Sequence, residues 1–220
     1  VSEPVVLKQE VLAYAGKMVR HGFVAGRGGN VSCRIAGRDG VVITPSRADY
    51  DTLKVEDICV VDFDLIPEDA ARKPSVEAGL HVAVYRDRPE INAVIHTHQI
   101  FASVLSLIGW SVPSLFDEQV FYLGPTIELI PYAPSGSQEM IHNVRSALLS
   151  GCNAYILQNH GALCLGAALK EAFHNVQLLE RAAQTYFYAR LSKGKISGLP
   201  PEAVNYFLEM RRDEQKKRGH

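Results

Sequence analysis

The chain has 220 residues, 47% of them apolar and 21% charged, enough to bury a substantial core and unlike a disordered or fibrous protein. Its 23 Lys and Arg against 24 Asp and Glu give a net charge of -1, so there is no global basic field for nucleic acid or an anionic membrane, although a local patch stays open. No apolar run approaches the ~20 residues that cross a bilayer.

Length predicts one domain, or at most two small ones. Val1 to Glu10 lack the basic and apolar regions of a signal peptide. Cys33, Cys59, Cys152 and Cys164 form no CxxC pair. They are expected as buried thiols in a reducing, cytoplasmic setting, with a disulfide framework as the weaker reading.

In chain order, Leu7, Val11, Tyr14 and Met18 make one stripe of a helix that Gly22 stops. Gly26 to Asn30 is a glycine-rich loop. Val31 to Ile35, Val41 to Thr44 and Ile58 to Phe63 read as strands. Ser75 can cap a helix running to about Arg86, with Leu80 and Val84 on one face. Ala93 to Thr97 is a strand ending in histidines, and Ile100 to Leu107 is helical. Thr126 to Pro131 is a strand. Ser135 and Gln138 have capping-box spacing ahead of Ile141, Val144 and Leu148. Ala154 to Gln158 is a buried strand, and Leu169 to Leu191 is a long helix. Glu209 to His220 reads as a solvated helix end. Interspersed strands and helices give an α/β or α+β class, a central sheet covered by helices.

His96-Thr97-His98 carries the sharpest chemical signal. Residues two apart on a strand point to one face, so two imidazoles start roughly 6.5 Å apart at the backbone and can converge on one metal. The pair alone fits two polar residues at a strand end equally well. His160 follows the apolar strand Ala154 to Leu157, and histidines at two strand ends of one sheet can meet; alone it also fits a turn residue bonded to backbone. Three neutral imidazoles and an open fourth position describe a catalytic metal site. Gly161 is expected to permit a sharp turn there.

His81 shares a helix face with Glu77 and reads as a satisfied core histidine. His142 and His174 read as surface or rim residues. Glu77 and Asp117-Glu118 are carboxylates in apolar surroundings, suited to acid/base work or to simple solvated or capping roles. Gly28-Gly29-Asn30 and Thr44-Pro45-Ser46 can offer N–H groups to an anion, but form neither a P-loop nor a dinucleotide fingerprint, so no nucleotide cofactor is expected.

Together these pieces resemble the class II aldolase/adducin family, from about Val11 to Leu191. The matching motifs are Gly28 to Ser32, Ile43 to Ser46, Pro74 to Glu77, His96 to His98, Pro131 to Ala133 and Gln158 to Gly161. The resemblance implies a single domain over residues 1–220, an α/β fold of three layers, α/β/α, around a mostly antiparallel sheet. It implies a zinc site made by His96, His98 and His160, with Mn, Co, Ni or Fe as alternatives. It also implies Glu77 as the acid/base beside the metal, and a homotetramer with active sites between subunits.

In fuculose-type aldolases of the family, a phosphate is held by Gly and Asn of the first loop, a Thr-Gly pair and two adjacent serines. Gly29, Asn30 and Ser75 match. Ser46 replaces the Thr, Arg47 the Gly and Val76 the second Ser. A hydroxyl is exchanged for a cation, so the small anionic substrate is expected to present phosphate or carboxylate. Asp117 falls near the place of a proton-donating Tyr. Glu118 falls where the related methylthioribulose-phosphate dehydratases carry a catalytic Glu.

The activity implied is that of a metal-dependent lyase, first of all an aldolase that breaks a C–C bond of a small hydroxy-carbonyl substrate through an enediolate. A decarboxylase of a 3-oxo or hydroxy acid, or a dehydratase, would use the same site. Glu77 would move the proton at the carbanion carbon. Glu118, or Tyr206 contributed by a neighbouring subunit, would protonate the alkoxide. A non-catalytic, adducin-like scaffold would be expected to lack the three histidines.

Overall fold

The computed structural model describes residues 3–68 and 72–218. Helix α1 (Glu3–Arg20) leads into β1 (Asn30–Arg34), β2 (Gly40–Ile43), a 3-10 turn at Val55–Asp57 and β3 (Cys59–Asp62). Then follow α2 (Ala78–Asp87), β4 (Ala93–Thr97), α3 (Ile100–Ile108), α4 (Asp117–Tyr122), β5 (Glu128–Ile130) and α5 (Gln138–Leu148). The chain ends with β6 (Ala154–Leu157), β7 (Gly161–Gly166), α6 (Leu169–Leu191) and α7 (Pro201–Arg218). No helix among the described residues is long and apolar enough to cross a membrane.

The strands form one sheet in the order β3-β2-β1-β4-β7-β6-β5, antiparallel except for β5 beside β6. Helices cover both faces, as expected of an α/β/α arrangement. The strands are buried on both sides, so alternate residues feed two separate cores. Ala93 and Ile95 of β4, with Ala162 and Cys164 of β7, face α1, α3 and α6 through Met18, Leu105, Val176 and Leu179. Val94, Leu163 and Leu165 face α2 and α5 through Leu80, Val84, Met140 and Val144. All four cysteines are buried free thiols.

Several sequence expectations need correction. Ser75 does not cap α2: the helix starts at Ala78, after Glu77, with no side-chain cap. The Ser75 hydroxyl instead accepts the Glu77 N–H at 3.2 Å, a local turn that competes with capping. The cap of α5 is Ser137, which accepts the Met140 N–H at 3.1 Å, in place of Ser135. The strand at Thr126 to Pro131 shrinks to Glu128–Ile130. Strand β7 was not anticipated. Helix α7 extends well N-terminal of the solvated end read at Glu209, and His220 lies outside the described residues.

Helix α3 matters because it leaves directly from the histidine strand. Its first turn has no side-chain cap of its own. Glu180 of α6 accepts the N–H groups of Phe101 and Ala102 at 2.8 and 3.0 Å, placing a carboxylate at the positive helix end. Ile95 is fully buried in the central strand. Ile95→Ala is expected to destabilise the fold by about 2–5 kcal/mol, read as a lower denaturant midpoint.

Candidate metal centre and active site

The pairing of β4 with β7 brings the histidines together. His96 lies opposite Leu163 and Thr97 opposite Ala162, which puts the turn at Asn159-His160 beside the end of β4. The rings of His96 and His160 are 4.6 Å apart between centroids, and those of His98 and His160 5.3 Å. One ligand nitrogen from each of the three rings lies within 4.8 Å of the others. His96 and His98 approach at 2.9 Å between their Nε2 atoms.

The surroundings fix the rings. His96 Nδ1 donates to the Ala162 carbonyl at 2.9 Å, leaving its Nε2 lone pair turned inward. The His98 backbone N–H donates to the Phe23 carbonyl, tying the site to the segment after α1. His160 Nε2 is 3.4 Å from the Ser135 hydroxyl.

The glycines around this cluster serve close approach. A Cβ on Gly28 would stand 2.5 Å from His98 Nδ1, and one on Gly29 2.7 Å from the His96 carbonyl oxygen. A Cβ on Gly161 would overlap the Thr97 carbonyl oxygen. Gly161 is therefore not the turn residue expected from sequence; Asn159 takes the left-handed conformation there, at φ 53.

Glu77 completes the cluster. It is 6% exposed, with one oxygen 3.3 Å from His96 Nε2 and the other 3.3 Å from His160 Nε2. The Asn30 amide donates to it at 2.7 Å. Burial alone pushes this carboxyl up, but His96, His160, the Asn30 hydrogen bond and His81 together hold it below the usual carboxylate range. Burial, helped by His96 and His160, lowers His98 to about 4. Burial and His96 also lower His160, against the pull of Glu77.

Neutral imidazoles are the form that binds metal. Two Nε2 atoms at 2.9 Å and a third imidazole nitrogen beside them make a donor set that suits one divalent cation, with the Glu77 carboxylate alongside. His96, His98 and His160 are the residues able to hold it.

The anion-binding candidates are partly assembled. Ser46 N–H donates to the Lys73 carbonyl and Ser75 N–H to the Thr44 carbonyl, so the Thr44 to Ser46 and Lys73 to Ser75 segments run side by side. The Gly29 carbonyl accepts from the buried Tyr50 hydroxyl at 2.6 Å. Asn30 commits its amide nitrogen to Glu77. Arg47 is exposed, in the left-handed region at φ 54.

Glu118 is exposed on α4, 3.9 Å from His174 Nε2, and Tyr206 is exposed on α7 against Phe207. Among the described residues, no contact joins either of them to the histidine cluster. Sequence reasoning also missed Tyr50 and the Ala162 carbonyl. Neither carries a local motif, since their roles arise from loop packing and strand register.

Residues 9–187 match the family described as the Class II Aldolase and Adducin N-terminal domain. The chain belongs to this family. Among curated relatives, 5-deoxy-D-ribulose 1-phosphate aldolase of Bacillus thuringiensis serovar kurstaki is 31% identical over 197 residues, covering 90% of this chain and 91% of the relative. L-fuculose phosphate aldolase of Escherichia coli K12 is 30% identical over 203 residues, covering 92% and 93%. A solved L-fuculose 1-phosphate aldolase superposes with a TM-score of 0.89 at 31% identity, covering 96% of this chain and 98% of the other. This class II aldolase/adducin member is an enzyme of the class II aldolase type, a lyase.

Two predictions follow from the packing of this aldolase. Gly161→Ala should drive β4 and β7 apart at the site, destabilising the protein by about 1–3 kcal/mol. Metal affinity, measured by competition with a chelator, should fall with it. The second concerns pH. Burial pushes His81 down to about 3 in the fold, against about 6.5 when unfolded. A depressed histidine is neutral in both states above pH 6.5; below it the unfolded chain takes up the proton first. Stability is therefore full above pH 6.5 and drops by about 1.4 kcal/mol per pH unit from this group as pH falls toward 3. Denaturant unfolding at pH 7 and pH 5 should show that loss, reduced in His81→Phe.

Proposed function

We propose that this chain is a metal-dependent aldolase that cleaves a small 2-ketose 1-phosphate between its third and fourth carbons. The observation that carries the reading is the convergence of three imidazole ligand nitrogens beside the buried Glu77 carboxylate. The substrate class follows the named activities of two relatives, one on a deoxyribulose 1-phosphate and one on fuculose phosphate.

In the cleavage direction the fourth-carbon hydroxyl loses its proton and becomes an aldehyde as the C3–C4 bond breaks. The electron pair of that bond passes to C3 and spreads over C2–C3 as an enediolate. When bound, a divalent cation would polarise the carbonyl and offset this charge. Glu77 returns a proton to C3, releasing dihydroxyacetone phosphate when C3 bears a hydroxyl. Asn30 holds the Glu77 carboxylate in place for that transfer. Gly29, Asn30, Ser46 and Ser75 form the phosphate end of the pocket through N–H and hydroxyl groups, with Arg47 at its rim.

Zinc would be the metal best suited to the three nitrogen donors of His96, His98 and His160. Mn, Co, Ni and Fe suit the same imidazoles less selectively. The chain acts as one catalytic domain in a homotetramer. Support for the assembly comes from Glu118 and Tyr206, exposed on α4 and α7 and unconnected to the site of their own chain. A neighbouring subunit would bring one of them to the fourth-carbon oxygen. Four buried free thiols support a cytoplasmic setting. No separate observation favours decarboxylation or dehydration, and the intact histidine set speaks against a scaffold.

Two measurements test this. His96→Ala should lose bound metal, measured by elemental analysis, together with cleavage of 5-deoxy-D-ribulose 1-phosphate and L-fuculose 1-phosphate. Full turnover by metal-free protein would refute the mechanism. Glu77→Gln should keep its metal and lose about 10²- to 10⁴-fold in kcat.

A further inference from the structure

A buried polar chain runs behind Glu77 into the core, and the mechanism above does not use it. His81 stands one helical turn after Glu77 and is fully buried. Its Nδ1 is 2.7 Å from the Ser32 hydroxyl on β1, and that hydroxyl is 2.7 Å from the phenol oxygen of Tyr85. Ser32 and Tyr85 are buried as well. At the other end, His81 Nε2 is buried without a hydrogen-bond partner, and so are Glu77 Oε1 and Asn30 Oδ1.

The proton directions along this chain can be counted. Ser32 has one hydroxyl proton. If it goes to Tyr85, the phenol proton is left with no acceptor among the contacts described for it. If Tyr85 donates to Ser32 and Ser32 donates to His81 Nδ1, all three groups are satisfied in line. The single proton of the neutral ring then sits on Nε2. One buried donor is left over, and the same region holds two buried acceptors without a hydrogen bond, Asn30 Oδ1 and Glu77 Oε1, the latter facing His160 Nε2 at 3.3 Å. Residues four apart share a helix face, so His81 and Glu77 stand on one side of α2. A single internal water, accepting from Nε2–H and donating toward the carboxylate, would link the two while the Nδ1 bond to Ser32 stays in place.

We infer that His81 is a positioning residue, with Tyr85 and Ser32 fixing its tautomer so that its Nε2–H supports the Glu77 carboxylate from behind and keeps it aimed at the histidine cluster. The inference rests on the reading of Glu77 as the proton carrier. Asn30 grips the carboxylate from β1 and His81 from within α2, so the two supports act from different elements.

The test combines spectroscopy and kinetics on the zinc-loaded protein. With 15N-labelled histidine, the imidazole signals that vanish in His81→Gln belong to His81. They should report a protonated Nε2 and a bare Nδ1 at neutral pH, and the opposite tautomer overturns the inference. This measurement on unmodified protein stands even where a variant fails to fold. In kinetics with L-fuculose 1-phosphate, His81→Phe should keep full zinc content and lose about 10- to 100-fold in kcat with little change in KM. His81→Gln, whose amide N–H stands near the Nε2 position, should recover most of that loss. Wild-type turnover in His81→Phe, or a Gln variant no better than Phe, overturns the inference. Glu77→Gln separates the two readings. If it is inactive while His81→Phe is unimpaired, only the role of His81 falls; if it retains turnover, the role of Glu77 falls and this one with it.

Discussion

The register between β4 and β7 is the constraint on which the site depends. It sets Thr97 against Ala162, delivers the Ala162 carbonyl to His96 Nδ1, and brings the turn bearing His160 to the exit of β4. A slip of one residue would turn His96 and His98 toward the opposite helix layer, because strand side chains alternate between faces. The glycines enforce this arrangement from outside. Gly28, Gly29 and Gly161 each sit where any side chain would meet the backbone or ring of the histidine strand.

Desolvation then gives the cluster its chemical character. Buried polar groups are tolerated where they have partners, and here the partners are shared unevenly. Glu77 takes one firm hydrogen bond from Asn30 and leaves an oxygen without one. His98 and His160 are held away from the charged state by burial and by the neighbouring rings. Among the described residues, four of the six buried polar atoms without a hydrogen-bond partner (Asn30 Oδ1, Glu77 Oε1, His81 Nε2 and His160 Nδ1) gather in and behind this cluster, as expected of a place that binds a cation and a polar substrate.

Much of this was legible in the sequence, for identifiable reasons. The histidine pair could be assigned to a strand because the apolar run Ala93 to Ile95 leads straight into it, and β4 spans Ala93–Thr97. Helix α6 was legible from its long apolar period. Strand β7 was not: it is apolar on both faces and follows β6 after a short turn, so alternation gives no signal. The start of α7 had a usable mark in Pro201 at its first position, but its weak apolar stripe concealed it. Arg211, in the charged tail, is nevertheless buried and donates to the Gly151 carbonyl at 2.8 Å. The partnership of Ser32 with His81 and Tyr85 joins residues 49 and 53 positions apart and exists only once β1 has docked beside α2.

The bond from His98 N–H to the Phe23 carbonyl carries a consequence for assembly. It joins the exit of the first helix to the histidine strand, while His96 leans on a carbonyl 66 residues further along. The groups that shape the centre thus come from several distant stretches of chain, and pairings of such long sequence separation slow folding. Ion capture by the finished geometry becomes a checkpoint: until β7 has paired with β4 and carried His160 to the strand end, the polypeptide offers only the neighbouring pair His96 and His98.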